Sequence, residues 1–484
     1  MATNRVEPFI NHGDLKITPG DIIRRWIVLG IFVSLGTILA TLHIRNFSVA
    51  DMRFLGLLAM VIGLWAFDVV PGGIGGLILM MGAAVLQIAP ASIDFAGFTS
   101  PILWLIIGGL ILGAAANESG LGRRLALHLL ARVRGDRPLR LLLVLFVAGA
   151  IVTQLIPVVY ARVAIFLPVG LAIAQACRAA PGSRYGKFLM AAVFFASSGP
   201  YLATMTGFEP TLTAVAALQR AGHPIFWDQY LIEWIIPGLL MTSVLYFGIA
   251  VLLFRPSKAE LPTWDSVVWK QELRDLGGFS RKEKRLLVVF FGVTLLWLTG
   301  SLTHLSPTVV AIAGAVVIFL PGMTILKPPD VARHVNILMV MLFAAALSIG
   351  PLLTHLKLTE AFGHALAHGL PVNHLGLGSA FLLSAIVQAV HIPVGTVTAA
   401  MATVSPILER YAVLRHVSPV VTTWIVVGSA QAYVFPYQNP TLLMVYNEGY
   451  WTMTDMIKIG LLVSVGALLL VPLSTVTWWA WTIH

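Results

Sequence analysis

The chain alternates long apolar runs with short polar connections. Trp26–Leu42, Ile102–Ala116, Leu231–Phe254, Leu286–Leu298 and Ile459–Val471 are strongly apolar and nearly free of charge. Several approach or reach the roughly 20 residues with which a helix spans a bilayer. Other runs come in pairs: Leu139–Ile156 and Val163–Gln175 form two apolar arms around a short polar tip. The pattern predicts an all-α polytopic membrane protein, with about eleven transmembrane helices and two re-entrant hairpins.

The pattern also repeats. Tyr201–Leu212 ends one apolar run with Glu209-Pro210-Thr211, and Tyr433–Leu442 ends another with Asn439-Pro440-Thr441; the two prolines lie 230 residues apart. Ile156-Pro157-Val158 returns as Ile392-Pro393-Val394 after 236 residues, and Gly113 returns as Gly350 after 237. Pro168 and Pro406, 238 apart, give a hairpin register two residues away from the Ile-Pro-Val register, so the tips have two candidate alignments. The expected organisation is a cytoplasmic segment 1–25, a first repeat 26–254, a cytoplasmic linker 255–285 and a second repeat 286–484. The first repeat would hold a hairpin at about 139–178 and a broken helix at about 188–219, the second a hairpin at about 375–414 and a broken helix at about 420–447. Ser280 and Glu283 have the spacing of a capping box that opens the next helix.

An odd number of crossings per repeat makes the two copies inverted. Inverted repeats with broken helices are the common plan of secondary transporters, whose substrate and coupling ion sit where the repeats meet. Proline removes a backbone donor and frees carbonyls inside the membrane, which is tolerated only beside protein or a polar cavity. Finding Pro210 and Pro440 at matched positions therefore points to a binding site.

Composition narrows the choice. The chain has 484 residues, 58% hydrophobic and 11% charged, with a mean hydropathy of +0.88. Soluble proteins carry about 25% charged residues, so lipid is the expected solvent. The formal charge of +10 would suit nucleic acid, but the basic residues crowd short loops. Arg123 to Arg140, Arg178 to Lys187 and the linker, with eight basic against five acidic residues, fit the positive-inside rule. They place the N-terminus in the cytoplasm and the tail at His484 outside. Residues 1–25 lack the apolar core of a cleaved signal peptide. The lone Cys177 excludes an internal disulfide and a cysteine metal cage.

Phe435-Pro-Tyr-Gln-Asn439-Pro440-Thr441, Asn447-Glu-Gly-Tyr450 and Asp455-Met-Ile-Lys-Ile-Gly460 resemble the last third of the divalent anion/sodium symporters, the di- and tricarboxylate and sulfate carriers of the ion transporter superfamily. Ile102–Leu121, with Gly108-Gly109 and Asn117-Glu-Ser-Gly-Leu121, resembles the fourth span of that family, and the resemblance runs from about Met52 to the C-terminus. It implies a homodimer, a fixed scaffold domain, and a transport domain that carries its substrate like an elevator, with the substrate held between two hairpin tips and two broken-helix loops. The expected location is the inner (plasma) membrane of a bacterium.

The chain departs from the family at the tips. A Ser-Asn-Thr at each tip holds sodium and substrate carboxylates in the family; here the first tip reads Pro157-Val-Val-Tyr160-Ala-Arg162 and the second His391-Ile-Pro-Val-Gly395-Thr396-Val397-Thr398. Arg162 and Glu209 are ionisable residues in apolar stretches, where charge is costly unless paired or facing water. A guanidinium there replaces a sodium ion as a fixed positive charge, pairing Glu209 or clamping a substrate carboxylate. A buried carboxylate can bind and release a proton, because burial disfavours its charged form. The expected anion contacts are Arg162, Thr396, Thr398, Asn439, Pro440 and Thr441; the expected coupling groups are Glu209, Thr206, Gly207 and His391. Plainer roles stay open: Arg162 snorkelling to an interface, Glu209 serving a helix dipole, His391 packing as a satisfied histidine, the threonines bonding back to their own helices.

Two motifs carry no such weight. His364-Ala-Leu-Ala-His368 lacks the glutamate of a zinc protease signature and reads as a polar interfacial face. Pro71-Gly-Gly-Ile-Gly-Gly76 follows no strand and precedes no Lys-Ser/Thr, so it reads as close packing or a turn. No cofactor, metal or nucleotide site is expected. The function read from the chain is secondary transport of a small organic anion, a di- or tricarboxylate, sodium-independent and either proton-coupled or an exchanger. The alternatives are an arsenite or cation/proton carrier of the same superfamily, a channel, or a membrane-embedded enzyme.

Overall fold

The computed structural model describes residues 19–45, 47–67, 69–131, 137–156, 159–257, 260–261, 267–323, 325–434 and 438–483. Most of the segment 1–25, the tip residues Pro157 and Val158, the stretch 435–437 and His484 lie outside them. The described residues form helices and connecting turns, with no strand among them. Seven helices among them are long and apolar enough to cross a membrane, in keeping with the all-α polytopic fold.

Polar side chains start the helices as the sequence requires. Ser280 accepts from the Glu283 amide at 3.2 Å while the Glu283 carboxylate accepts from the Ser280 amide at 2.6 Å, which is the capping box expected at the end of the linker. The same reciprocal pair joins Ser48 to Asp51 and Thr452 to Asp455. Helix α1 (Pro19–Thr41) is followed by α2 (Val49–Ala66) and α3 (Gly72–Val85). The glycine run resolves as close packing. A Cβ at Gly73 would lie 2.1 Å from the Leu338 carbonyl oxygen and one at Gly76 2.9 Å from the Ala345 Cβ, so α3 lies directly on the helix Ile337–His355.

Two helical hairpins follow in the same order in each half. The first has arms Pro138–Leu155 and Val159–Ala176; the second has Leu377–Val394 and Val397–Arg415. Pro168 and Pro406 each lie nine residues past the start of their second arm. The arms therefore align on these prolines, and the Ile-Pro-Val match falls two residues out of register. The physical cause is Gly395, whose φ of 73° ends the first arm of the second hairpin only after Pro393. Gly395 also packs hard on α2: a Cβ there would lie 2.6 Å from the Ala66 Cα.

Each hairpin is followed by an interrupted helix. Arg184–Ser198 stops at Gly199 and the chain resumes as Thr211–Arg220 behind Pro210. Pro419–Ser429 stops at Ala430 and resumes as Pro440–Tyr446 behind Asn439. On the connections outside the hairpins, Arg124 is buried against Glu283 at 2.5 Å and donates to the Gly277 and Leu276 carbonyls. Its charge is fully used by the linker and the helix Arg281–Leu298.

Candidate functional site

The first break gathers its candidates. Arg162 sits one turn into the second arm of the first hairpin and is completely buried. Its Nε donates to the Ser197 carbonyl at 2.6 Å, and its Nη1 donates to the carbonyls of Ile156 at 2.7 Å and Gly207 at 3.0 Å. These oxygens come from three segments: the end of the first arm, the end of the first half-helix, and the loop of the break. The first two lie at helix ends and the third in the loop, so none has a helical partner, and an unpaired carbonyl in hydrocarbon costs several kcal/mol. The guanidinium satisfies them together. Gly207 has no room for a side chain, since a Cβ would lie 2.5 Å from the Tyr201 carbonyl oxygen.

Glu209 lies in the same loop, 6% exposed, near enough to Arg162 for their charges to attract. Its Oε2 has no hydrogen-bond partner among the described residues. It borders a small, partly open cavity of about 20 Å³ with Gln154, Thr206, Leu105, Phe290 and Trp297. Thr206 accepts from the Trp227 indole at 3.1 Å, and Trp227 stacks on Trp297 with ring centres 5.7 Å apart. Arg162, Thr206, Gly207 and Glu209 are thus one cluster, with Arg162 behind the carbonyls and Glu209 facing the cavity.

The second break is built differently. His391 is fully buried and its Nδ1 lies 2.8 Å from the Ala432 carbonyl oxygen, while its Nε2 has no partner among the described residues. Thr396 caps its own helix through the Ala399 amide at 3.2 Å, and Thr398 is buried in the following turn. Asn439 accepts from the Leu442 amide at 3.2 Å and from the Thr441 hydroxyl at 2.6 Å, so it starts the half-helix whose first residue is Pro440. Thr396 and Asn439 therefore cap their helices as acceptors, and each keeps a donor for another partner.

The two breaks meet through residues the sequence reading passed over. Tyr201 donates to the Gln431 side-chain oxygen at 3.0 Å, and its hydroxyl lies 3.0 Å from that of Tyr246. Gln154 beside Glu209, and Glu409 and Glu233 elsewhere in the bundle, are further polar groups in apolar helices. Glu409 is 7% exposed and attracted to Arg220, whose guanidinium lies over Gly350. A polar residue inside an apolar arm was the available signal for all of them.

Paired hairpins, interrupted helices and buried ionisable groups at the breaks define a multispan secondary transporter. The family model described as the sodium:sulfate symporter transmembrane region matches residues 24–484. The chain belongs to that family. A protein of Cupriavidus necator named only as a membrane protein is 24% identical, over 93% of this chain and 92% of its own. A sodium-dependent dicarboxylate transporter of Staphylococcus saprophyticus is 23% identical, over 91% of this chain and 89% of its own. The crystal structure of the YdaH transporter of Alcanivorax borkumensis shares the fold, with a TM-score of 0.53 at 15% identity, over 95% of this chain and 98% of its own. The protein is an integral membrane transporter of anions, not an enzyme.

Proposed function

We propose that this protein carries small organic anions, di- or tricarboxylates, without sodium, coupling them to protons or to a counter-anion. Arg162 supports this reading. Three backbone oxygens at the first break, the kind of ligand that holds a sodium ion, are occupied by its guanidinium. The positive charge is covalent and cannot dissociate, so it compensates an anion without travelling down a gradient. The dicarboxylate cargo is suggested by the staphylococcal relatives, which are named as sodium-dependent dicarboxylate transporters.

Glu209 supplies the coupling. Two like charges about 5 Å apart repel by about 3 kcal/mol at an effective dielectric of ~20. That is more than a hundredfold in affinity, so an anion bound beside Glu209 and a proton on Glu209 arrive together. His391 is the second coupling candidate, and Thr396, Thr398, Asn439, Pro440 and Thr441 are the proposed substrate contacts on the other half. The two repeats are inverted, and the hairpins with the broken helices move against the remaining helices as an elevator, in a homodimer.

Uptake of a labelled dicarboxylate panel into proteoliposomes tests this. Uptake should persist when choline replaces sodium and should rise with an inward proton gradient or a preloaded anion. Strict sodium dependence ends the proposal. Competition by arsenite or a monovalent cation, with none by dicarboxylates, would favour the other carriers of the superfamily.

A further inference from the structure

Helix α1 packs on α2 and leaves most of its surface uncovered. Of its most apolar stretch only 6% is buried, against 61% for α2. It touches α2 where Gly36 faces Gly56 so closely that a Cβ on Gly36 would lie 2.7 Å from the Gly56 carbonyl oxygen. Beside this crossing the two helices enclose a crevice of about 760 Å³. Its walls are apolar and include Val33, Ala40, Leu57 and Met60. Its other end is basic, with His43, Arg45 and Arg53 in or beside the turn that joins the helices.

The charges at that end are available. Arg53 donates to the Leu86 carbonyl at 3.2 Å, which fixes its stem but leaves its charge uncompensated. Arg45 is exposed and has no acidic partner among the described residues. The nearby Asp51 is turned back on the Ser48 amide at 2.6 Å, and no acidic residue is among the described residues lining the crevice. A crevice between two spanning helices opens to acyl chains, and helix ends sit at the level of the headgroups.

We propose that the α1–α2 crevice binds one anionic phospholipid, its acyl chain along Ala40, Leu57 and Met60 and its phosphate between Arg45 and Arg53. An apolar slot ending in two arginines matches the chemistry of a phosphodiester monoanion on a hydrocarbon tail. A second copy of the chain would have to bring acidic side chains to the same arginines, whereas an anionic headgroup carries its charge on the same molecule as the hydrocarbon tail.

The test uses the purified full chain in neutral detergent, titrated with dioleoylphosphatidylglycerol while its thermal unfolding midpoint is followed. Phosphatidylglycerol should raise the midpoint and phosphatidylcholine should not. Arg45→Gln should need about fivefold more phosphatidylglycerol, the worth of one basic side chain at a membrane surface, and Arg45→Lys should restore most of the effect. Equal shifts by both lipids, or an Arg45→Gln protein that titrates like the parent, overturn the proposal. So does an equal shift from inorganic phosphate, which would make the crevice a site for the free anion. Arg45 is exposed, so its replacement leaves the fold intact and each outcome is readable.

Discussion

Tyr201 and Gln431 are hydrogen-bonded at 3.0 Å and lie 230 residues apart, the spacing that also separates Pro210 from Pro440. The bond therefore joins corresponding positions of the two interrupted helices. The two breaks face each other at the centre of the molecule, held by side chains that are themselves related by the repeat.

This bond should be measurable in stability. Tyr201→Phe leaves the Gln431 oxygen and the Tyr246 hydroxyl without their shared partner, at a cost of about 1–3 kcal/mol. Gln431→Met should cost a similar amount, and the double variant clearly less than the sum. Thermal unfolding of the four proteins in one detergent gives the cycle; strict additivity would mean that the bond contributes nothing.

Arg162 should be both a structural and a coupling residue. Arg162→Met strips three carbonyls of their donor and should destabilise the protein by roughly 3 kcal/mol or more. Arg162→Lys keeps the charge but loses the fork and should retain part of the activity. The informative variant is Arg162→Ala, which vacates the space among the same oxygens. Its residual uptake should be stimulated by sodium where that of the parent is not; uptake indifferent to sodium in both proteins would separate Arg162 from any ion role.

Replacing Glu209 by glutamine fixes the neutral state. Net uptake driven by a proton gradient should fall more than tenfold, while exchange of internal for external anion continues and its rate loses its dependence on pH. An unchanged pH profile in Glu209→Gln would pass the proton role to His391, Glu233 or Glu409, whose neutral variants are tested in the same assay.

The start of the helix Trp227–Leu239 clasps the end of the helix Arg281–Leu298. Trp227 stacks on Trp297, Asp228 accepts from the Ser301 amide and hydroxyl, and Phe226 meets His304 edge-on. The elevator motion proposed above would move one side of this clasp against the other. In a Cys177→Ala background, cysteines at 228 and 301 should close under oxidant and stop uptake, and reductant should restore it. Continued uptake with the disulfide closed would show that these helices travel together.

Much of this architecture was legible in the chain. Apolar length gives the spans, because a helix in lipid must cover a fixed thickness. Proline at Pro210 and Pro440 gives the breaks, and Ser280 with Glu283 gives a helix start. The hairpin register was not legible, because Ile-Pro-Val is a sequence match without a structural duty, whereas Gly395 sets where the arm ends. The tie between Tyr201 and Gln431 was hidden because it depends on how two distant loops face each other. Arg162 was found as an oddity in an apolar run, but its carbonyl partners lie 6 to 45 residues away and no local pattern names them.

Gly395 has one more effect. At the point where the second hairpin comes nearest to α2, it presents bare backbone to Ala66. Two surfaces without protruding groups do not interlock, so parting them leaves no side chain to be pulled from a socket. The tip rests against its neighbour like a smooth bearing. A methyl group at this position would wedge the contact apart and, because of its φ, strain the turn that forms the tip.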